Sequence, residues 1–436
     1  MDAERLRVQA DLRGLLDGDV YCDPIQTQMY ASDAGVYEVM PLGVVRPRHA
    51  ADVVQTIKYA AENNLPVFPR GGGTGLAGQA LGSGLVIDFS RYMRRILKLD
   101  DESRTIRVQP GLVLADLNRN LESRGLLFGP DPATRAVTTI GSVVAVDTSG
   151  SHFLRYGTAG STVVSLQAVL ANGEIVQLDR EPWQEPTHPA STVGKIASEV
   201  GQLLWANREE LKQLPWRGVA RGCGYRVEQA IHPNWVDLAR LQSGAEGTLA
   251  VITEATVRVE PIPAVRAVVM LFFDRLETAA RMALEARRDE VAACDLMDRR
   301  LLEIAREIDP RYNALLPRGA EAMLLIEQQG DDAHDVRGKL TALVNRIQRK
   351  SPATTASRVT TDDRERDFYW RLCRRVIPHL YRVKGSERPV PFVEDIAVPP
   401  NRLGDFIVDA QNIFKAARVT ATIFSHAAHG QVHIRP

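Results

Sequence analysis

The chain has 436 residues, 44% of them hydrophobic and 25% charged, and its 54 lysines and arginines are balanced by 54 aspartates and glutamates. A chain of this length buries a large core and fits two or three domains, while zero net charge supplies no global field for nucleic acid or an anionic membrane. Cys22, Cys223, Cys294 and Cys373 form no C-x-x-C pair, so no zinc ribbon, iron–sulfur cluster or disulfide framework is expected within it, and a reducing, cytoplasmic setting fits.

The opening MDAERLRVQADLRGLL is charged and helix-like, without the apolar core of a signal peptide. Nowhere does an apolar run reach the roughly 18 residues of a spanning helix. Membrane contact, if any, is expected to be peripheral, at the inner membrane.

The elements then alternate in α/β fashion. GVVRP (43–47) reads as a strand, ADVVQTIKYAAENN (51–64) as a helix, and LPVFP (65–69) and LVIDFS (85–90) as strands around a glycine loop. RTIRVQ (104–109) precedes a turn at Pro110 and Gly111 and a helix over 112–125. The region 138–180 is expected to be strand-rich, with a hairpin at Asn172 and Gly173. A helix is predicted over 193–214, and two prolines near 263 mark a boundary, giving domains 1–262 and 263–436. The second half reads strand, helix, strand, helix several times over, an α+β arrangement with helices covering one face of the strands.

RGGGTGLAG (70–78) holds Gly73, Gly75 and Gly78 in a literal G-x-G-x-x-G. A dinucleotide fingerprint of that type needs a helix opening inside it and an acidic residue about 20 positions on. Only QALGSG separates Gly78 from the next strand, too short for a parallel crossover of at least about 10 residues. No GK[ST] follows either. The remaining readings are a strand–loop–strand nest that aims backbone N–H groups at an anion, with Arg70 adding charge, or a tight turn that binds nothing. TTIGSVVAVDTSGSHFLRYG (138–157) and QSGAEGTLAVIT (242–253) add further small-residue segments, suited to walls around a flat, phosphate-bearing ligand.

In order and spacing, VVRP, PVFPRGGGTGLAGQ, VQPGLVLADLN, FGPDPAT, TIGSVVAVDTSG, LRYG, CGYRV and SGAEGTLAVIT resemble the FAD-linked oxidase family with the vanillyl-alcohol-oxidase type of flavin fold. The resemblance implies a two-subdomain FAD-binding domain followed by an α+β, ferredoxin-like substrate domain that is truncated at its C-terminus. It places the FAD pyrophosphate at Arg70, Gly71, Gly72, Gly73, Thr74, Gly75, Gly78 and Gln79. Further FAD contacts fall to Pro110, Gly111, Thr139, Gly141, Ser142, Glu246, Gly247 and Ile252. With Thr74 in the loop and no histidine there, the FAD is expected to be noncovalent.

DFYWRLCRRVIPHLYRVKG (367–385), PVPFVEDIAVP (389–399) and SHAAHGQVHIRP (425–436) resemble the branch that oxidises D-2-hydroxy acids: D-lactate, glycolate and D-2-hydroxyglutarate dehydrogenases. The second stretch is most similar to the long bacterial flavin plus iron–sulfur fusions. The histidines His426, His429 and His433 by themselves read either as core or solvated side chains or as ligands of a divalent metal. The resemblance assigns His426 and His433 to such a metal, zinc or similar, which polarises the substrate hydroxyl. It assigns Arg374 to the substrate carboxylate, where its alternative is a solvated helix charge; Arg435, which stands where the short relatives have asparagine, reads as a second carboxylate contact. Asp395 reads equally as a site residue or as structural, orienting a neighbour or ending a strand. The relatives continue past the position of Pro436 through a Glu–His pair, third metal ligand and base, so the expectation is either a fragment of a longer protein or a site completed by something else. The activity implied is hydride transfer from Cα of a D-2-hydroxy acid to flavin N5. Electrons would leave to an acceptor or to an iron–sulfur segment outside this sequence, and a homo-oligomer is expected. The alternatives are an FAD enzyme for an alcohol or sugar, or a non-catalytic flavin-binding subunit.

Overall fold

The computed structural model describes residues 2–213, 224–382 and 388–436, apart from the side chain of Asp395. Cys223, the end of the 367–385 stretch and the Asp395 side chain therefore lie outside the described residues. The described chain forms two compact units, one from residues 2–148, 158–213 and 224–261, the other from Ser149–Gly157 and Ile262–Pro436.

In the first unit the short strand Leu85–Asp88 is buried along its whole length and lies inside a four-stranded sheet. It pairs in parallel with Gly43–Arg46 on one side and Val67–Arg70 on the other. Two-sided burial explains why Leu85, Val86 and Ile87 are apolar in succession rather than alternating. Helix Ala50–Glu62 makes the crossover between the two flanking strands and turns Val53, Ile57 and Ala60 inward. The parallel pairing of Val67–Arg70 with Leu85–Asp88 corrects the reading of the glycine loop. Its span runs from Arg70 rather than from Gly78, so residues 71–84 make a parallel connection without any helix. A hairpin turn is excluded by the same pairing.

A second sheet in this unit is antiparallel, in the order Ile96–Asp100, Thr105–Val108, Val251–Arg258, Val163–Val169, Ile175–Leu178. The last two strands form the expected hairpin, with the Leu170 N–H donating to Glu174 O at 2.9 Å and Gly173 at φ +80°. The strand-rich expectation for 138–180 fails before residue 163. Ile140–Ala145, Phe153–Tyr156 and Ala159–Thr162 are short helices, each only one or two turns between glycines and hydroxyl residues. The helix expected over 193–214 is broken at Asn207 into Thr192–Ala206 and Arg208–Lys212.

The second unit is built on a seven-stranded antiparallel sheet. Its order is Thr355–Ala356, Val265–Phe273, Ala322–Gly330, Ala293–Asp298, Thr422–His426, Gln431–Arg435, Val393–Ala397. Alternate residues of one strand feed two cores. Val269, Leu271 and Phe273 pack with helices Leu276–Arg288, Ala333–Lys350 and Leu403–Ala416. Val268, Met270 and Phe272 pack instead with Arg299–Ile308, Arg311–Leu315 and Asp363–Leu380. Helices thus cover both faces of the sheet, not one. Among the described residues no helix is long and apolar enough to cross a membrane.

Candidate functional site

The glycine loop opens a cleft in the first unit with about 1060 Å³ of atom-free space. Arg70, Gly71, Gly73, Thr74, Gly75 and Gln79 form one wall. Pro110, Thr139, Gly141 and Ser142 form a second, and Glu246, Gly247 and Ile252 a third. Three of the sequence-predicted positions, Gly72, Gly78 and Gly111, are not among the residues that line the cleft. Gly72 presses on the Val137 carbonyl, Gly78 lies under Tyr37, and Gly111 sits against the carbonyls of Phe89 and Met93.

The loop can follow this path because two of its glycines take left-handed conformations, Gly73 at φ +62° and Gly78 at φ +80°. A Cβ on Gly71 would meet the hydroxyls of Thr139 and Ser142 at 2.1 and 2.3 Å, so the two walls touch through backbone that only glycine leaves open. On the far side, Glu246 at φ +52° and Gly247 at φ +82° turn the chain so that the Glu246 N–H donates to Ala145 O at 3.0 Å. A cleft walled by main chain, small residues and hydroxyls fits a flat dinucleotide, and FAD is the group it would take.

The Arg70 guanidinium donates to the carbonyls of Ser32 at 2.8 Å and Tyr30 at 3.3 Å and lies over the Tyr30 ring. Burial lowers its pKa from the ordinary arginine value, opposed by Asp33 and Asp88. The Ala34 N–H also donates to Gly73 O, at 3.1 Å. Residues 30–35 thus brace the glycine loop, a role that no local motif announces. Phe89, Thr134, Thr138 and Gln242 line the cleft as well and were not singled out in the sequence.

Gly72→Ala would bring a Cβ to 2.4 Å from the backbone oxygen of Val137, which cannot rotate away. Overpacking of this kind costs about 1–3 kcal/mol, so FAD is expected to be held roughly ten- to a hundredfold less tightly. Titration of the apoprotein with FAD, followed by quenching of flavin fluorescence, measures this; unchanged affinity would show that the loop position does not matter.

In the second unit, Thr422–His426 and Gln431–Arg435 form a hairpin that pairs Phe424 with His433. The rings of His426 and His433 lie 5.6 Å apart, edge to face, and that of His429 lies 5.2 Å from His426. His426 Nδ1 meets Asp295 Oδ1 at 2.7 Å, and the other Asp295 oxygen accepts from the Ser151 hydroxyl at 2.7 Å. His433 Nδ1 meets Glu394 Oε2 at 2.5 Å. A carboxylate on Nδ1 orients an imidazole and makes Nε2 the ligating atom, so both rings fit the donor chemistry of a divalent metal. His429 is fully buried, its Nε2 has no hydrogen-bond partner among the described residues, and burial with the neighbouring His426 holds its pKa well below the ordinary value.

Among the described residues, the one trio whose ligand atoms all lie within 4.8 Å is elsewhere, Asp17, His49 and Asp52 in the first unit. There both Asp52 oxygens accept backbone N–H groups, from Asp17 at 3.0 Å and Arg48 at 2.7 Å, which accounts for that cluster structurally. Arg435 is 5% exposed and paired with Glu394, and its pKa is lowered by burial. Arg374 is half-buried on helix Asp363–Leu380, its guanidinium 5.6 Å from the centre of the Trp370 ring.

Residues 41–179 match the FAD binding domain family, and residues 262–436 match the C-terminal domain of FAD linked oxidases. The chain carries both domains of the FAD linked oxidases. It is 32% identical to a D-2-hydroxyglutarate dehydrogenase of Pantoea ananatis over 93% of this chain and 42% of that protein. It is 28% identical to the glycolate oxidase subunit GlcD of Bacillus subtilis over 93% of this chain and 75% of that protein. The chain thus spans about two fifths of the length of the D-2-hydroxyglutarate dehydrogenases it matches. A solved alkyldihydroxyacetonephosphate synthase superposes on all of it with a TM-score of 0.68 at 17% identity, covering 80% of that chain, which shows the fold. The protein is mixed α+β and of the vanillyl-alcohol-oxidase type; two walls of the cleft lie within residues 41–179, and the third, Glu246, Gly247 and Ile252, lies beyond them.

Proposed function

We propose that this protein oxidises a D-2-hydroxy acid to the 2-oxo acid, with noncovalent FAD in the cleft of the first unit. The observation that carries the reading is the pair of carboxylate-held imidazoles, His426 on Asp295 and His433 on Glu394, in a chain with an FAD binding domain. The reaction removes two electrons and two protons, one from Cα and one from the hydroxyl, and FAD when bound supplies the acceptor for the electron pair. A divalent metal on His426 and His433 would polarise the hydroxyl and favour loss of its proton. Arg374 matches the other end of the substrate, since a guanidinium offers a planar fork of N–H donors to a carboxylate. The electrons then pass to an external acceptor, either a partner protein or an iron–sulfur segment, in a cytoplasmic protein with at most peripheral membrane contact.

The FAD-loaded protein should lose its oxidised-flavin absorption under anaerobic titration with D-lactate, glycolate or D-2-hydroxyglutarate. L-enantiomers should leave it oxidised. A chelator should slow the bleaching, and added zinc or manganese should restore it. No bleaching by any of the three acids, or bleaching by alcohols and sugars that a chelator does not touch, would overturn the proposal.

A further inference from the structure

We infer that Trp370 and Glu327 are positioning residues for the Arg374 guanidinium and so tune the recognition of the substrate carboxylate. The inference rests on the reading of Arg374 given above. Trp370 and Arg374 are four residues apart on helix Asp363–Leu380 and therefore share a face. The guanidinium lies 5.6 Å from the indole centroid, within the roughly 6 Å range of a cation–π contact. Stacking on a ring fixes the plane of the guanidinium, and a two-point contact with a carboxylate depends on that plane.

The ring is itself held. Trp370 is 2% exposed, and its indole N–H donates to Glu327 Oε2 at 2.6 Å. Glu327, fully buried in the middle of strand Ala322–Gly330, also accepts from Arg266 at 2.7 and 3.0 Å and from Gln329 at 2.7 Å, and meets His152 Nε2 at 3.2 Å. Val268 and Ala293 flank it across the sheet. Replacing such a carboxylate together with all its partners by well-packed hydrophobic residues often costs nothing, so stability alone does not call for the whole network. What the carboxylate supplies is direction. Its Oε2, which the indole shares with Arg266, is fixed at the edge of the ring, so the ring has one orientation and Arg374 lies over a fixed surface.

The test compares a 2-hydroxy acid with its uncharged 2-hydroxy amide as substrates of the FAD-loaded protein. Trp370→Phe keeps an aromatic face but loses the N–H. It is expected to raise KM for the acid roughly five- to tenfold, about the worth of one hydrogen bond, with kcat, FAD affinity and KM for the amide unchanged. Glu327→Asp keeps the charge, retracts the acceptor, and should give the same acid-selective rise if Trp370→Phe does not fold. In an Arg374→Gln background neither change should raise KM further, because the group being positioned is gone. Equal shifts for acid and amide, or no shift in either, would overturn the inference while leaving Arg374 in place. If Arg374→Gln alone leaves KM for the acid unchanged, the carboxylate reading itself fails and the positioning role with it.

Discussion

Asp147→Asn is expected to destabilise the protein by about 3–5 kcal/mol, the usual cost of removing one partner from a buried ion pair, and to weaken FAD retention with it. Asp147 is 3% exposed and sits at φ +54°, a left-handed conformation that asparagine also tolerates, so the exchange removes charge and little else. Its carboxylate accepts from Arg226 at 2.5 Å, from Arg240 at 3.4 Å and from the Gly160 N–H at 2.6 Å. Arg226 and Arg240 are themselves 3% and 7% exposed, and without the carboxylate they share, two guanidinium charges remain in a region from which water is excluded.

The effect reaches the cofactor because Asp147 lies between Val146 and Thr148, both on the cleft surface. Its neighbours Val144 and Ala145 accept from the N–H groups of Gly244 and Glu246, tying two walls of the cleft together. Urea unfolding and FAD titration should therefore both shift. Adding Arg226→Met to Asp147→Asn should recover part of the stability if the excess buried charge is the cause. A double variant as unstable as the sum of the two singles would refute that explanation.

The elements that were legible in the sequence are those whose periodicity is set by local burial. Val53, Ile57 and Ala60 mark one face of Ala50–Glu62, and the apolar run of Leu85–Asp88 reflects burial on both sides. The same clue was present in AVVMLFF, whose two interleaved sets of side chains enter separate cores. An unbroken apolar run carries no alternation to count, so the strand was legible and its second helical layer was not. Residues 140–162 were misread because their helices are too short to show a helical period.

The cleft was legible wherever backbone geometry demands a particular residue, as at Gly71 and Gly73. The partners of the candidate substrate groups were not. Asp295 lies 131 residues from His426 in sequence, and Glu394 lies 39 from His433. Sheet register places Asp295 opposite His426, and nothing in the residues around either one encodes that pairing. The brace formed by residues 30–35 carries no sequence signal for a related reason. It acts through main-chain carbonyls, which every residue type possesses.

Glu327→Gln should cost about 3–5 kcal/mol at neutral pH, because the new amide group faces donors where an oxygen accepted them. Burial alone would raise the Glu327 carboxyl, but His152 and Arg266 beside it reverse that and hold it well below the usual carboxylate range. A carboxyl depressed in the folded state binds its proton more readily once the chain unfolds. Its stabilisation is therefore complete above the unfolded value of about 4.3 and drains away as pH falls towards the lower folded value. Thermal unfolding from pH 7 down to about pH 3 should show the native protein losing its advantage over the glutamine variant below about pH 4.3, with a parallel gap above it. If the two curves stayed equally far apart throughout, Glu327 would not be the titrating group, and the network of Arg266, His152 and Trp370 would be held by something other than its charge.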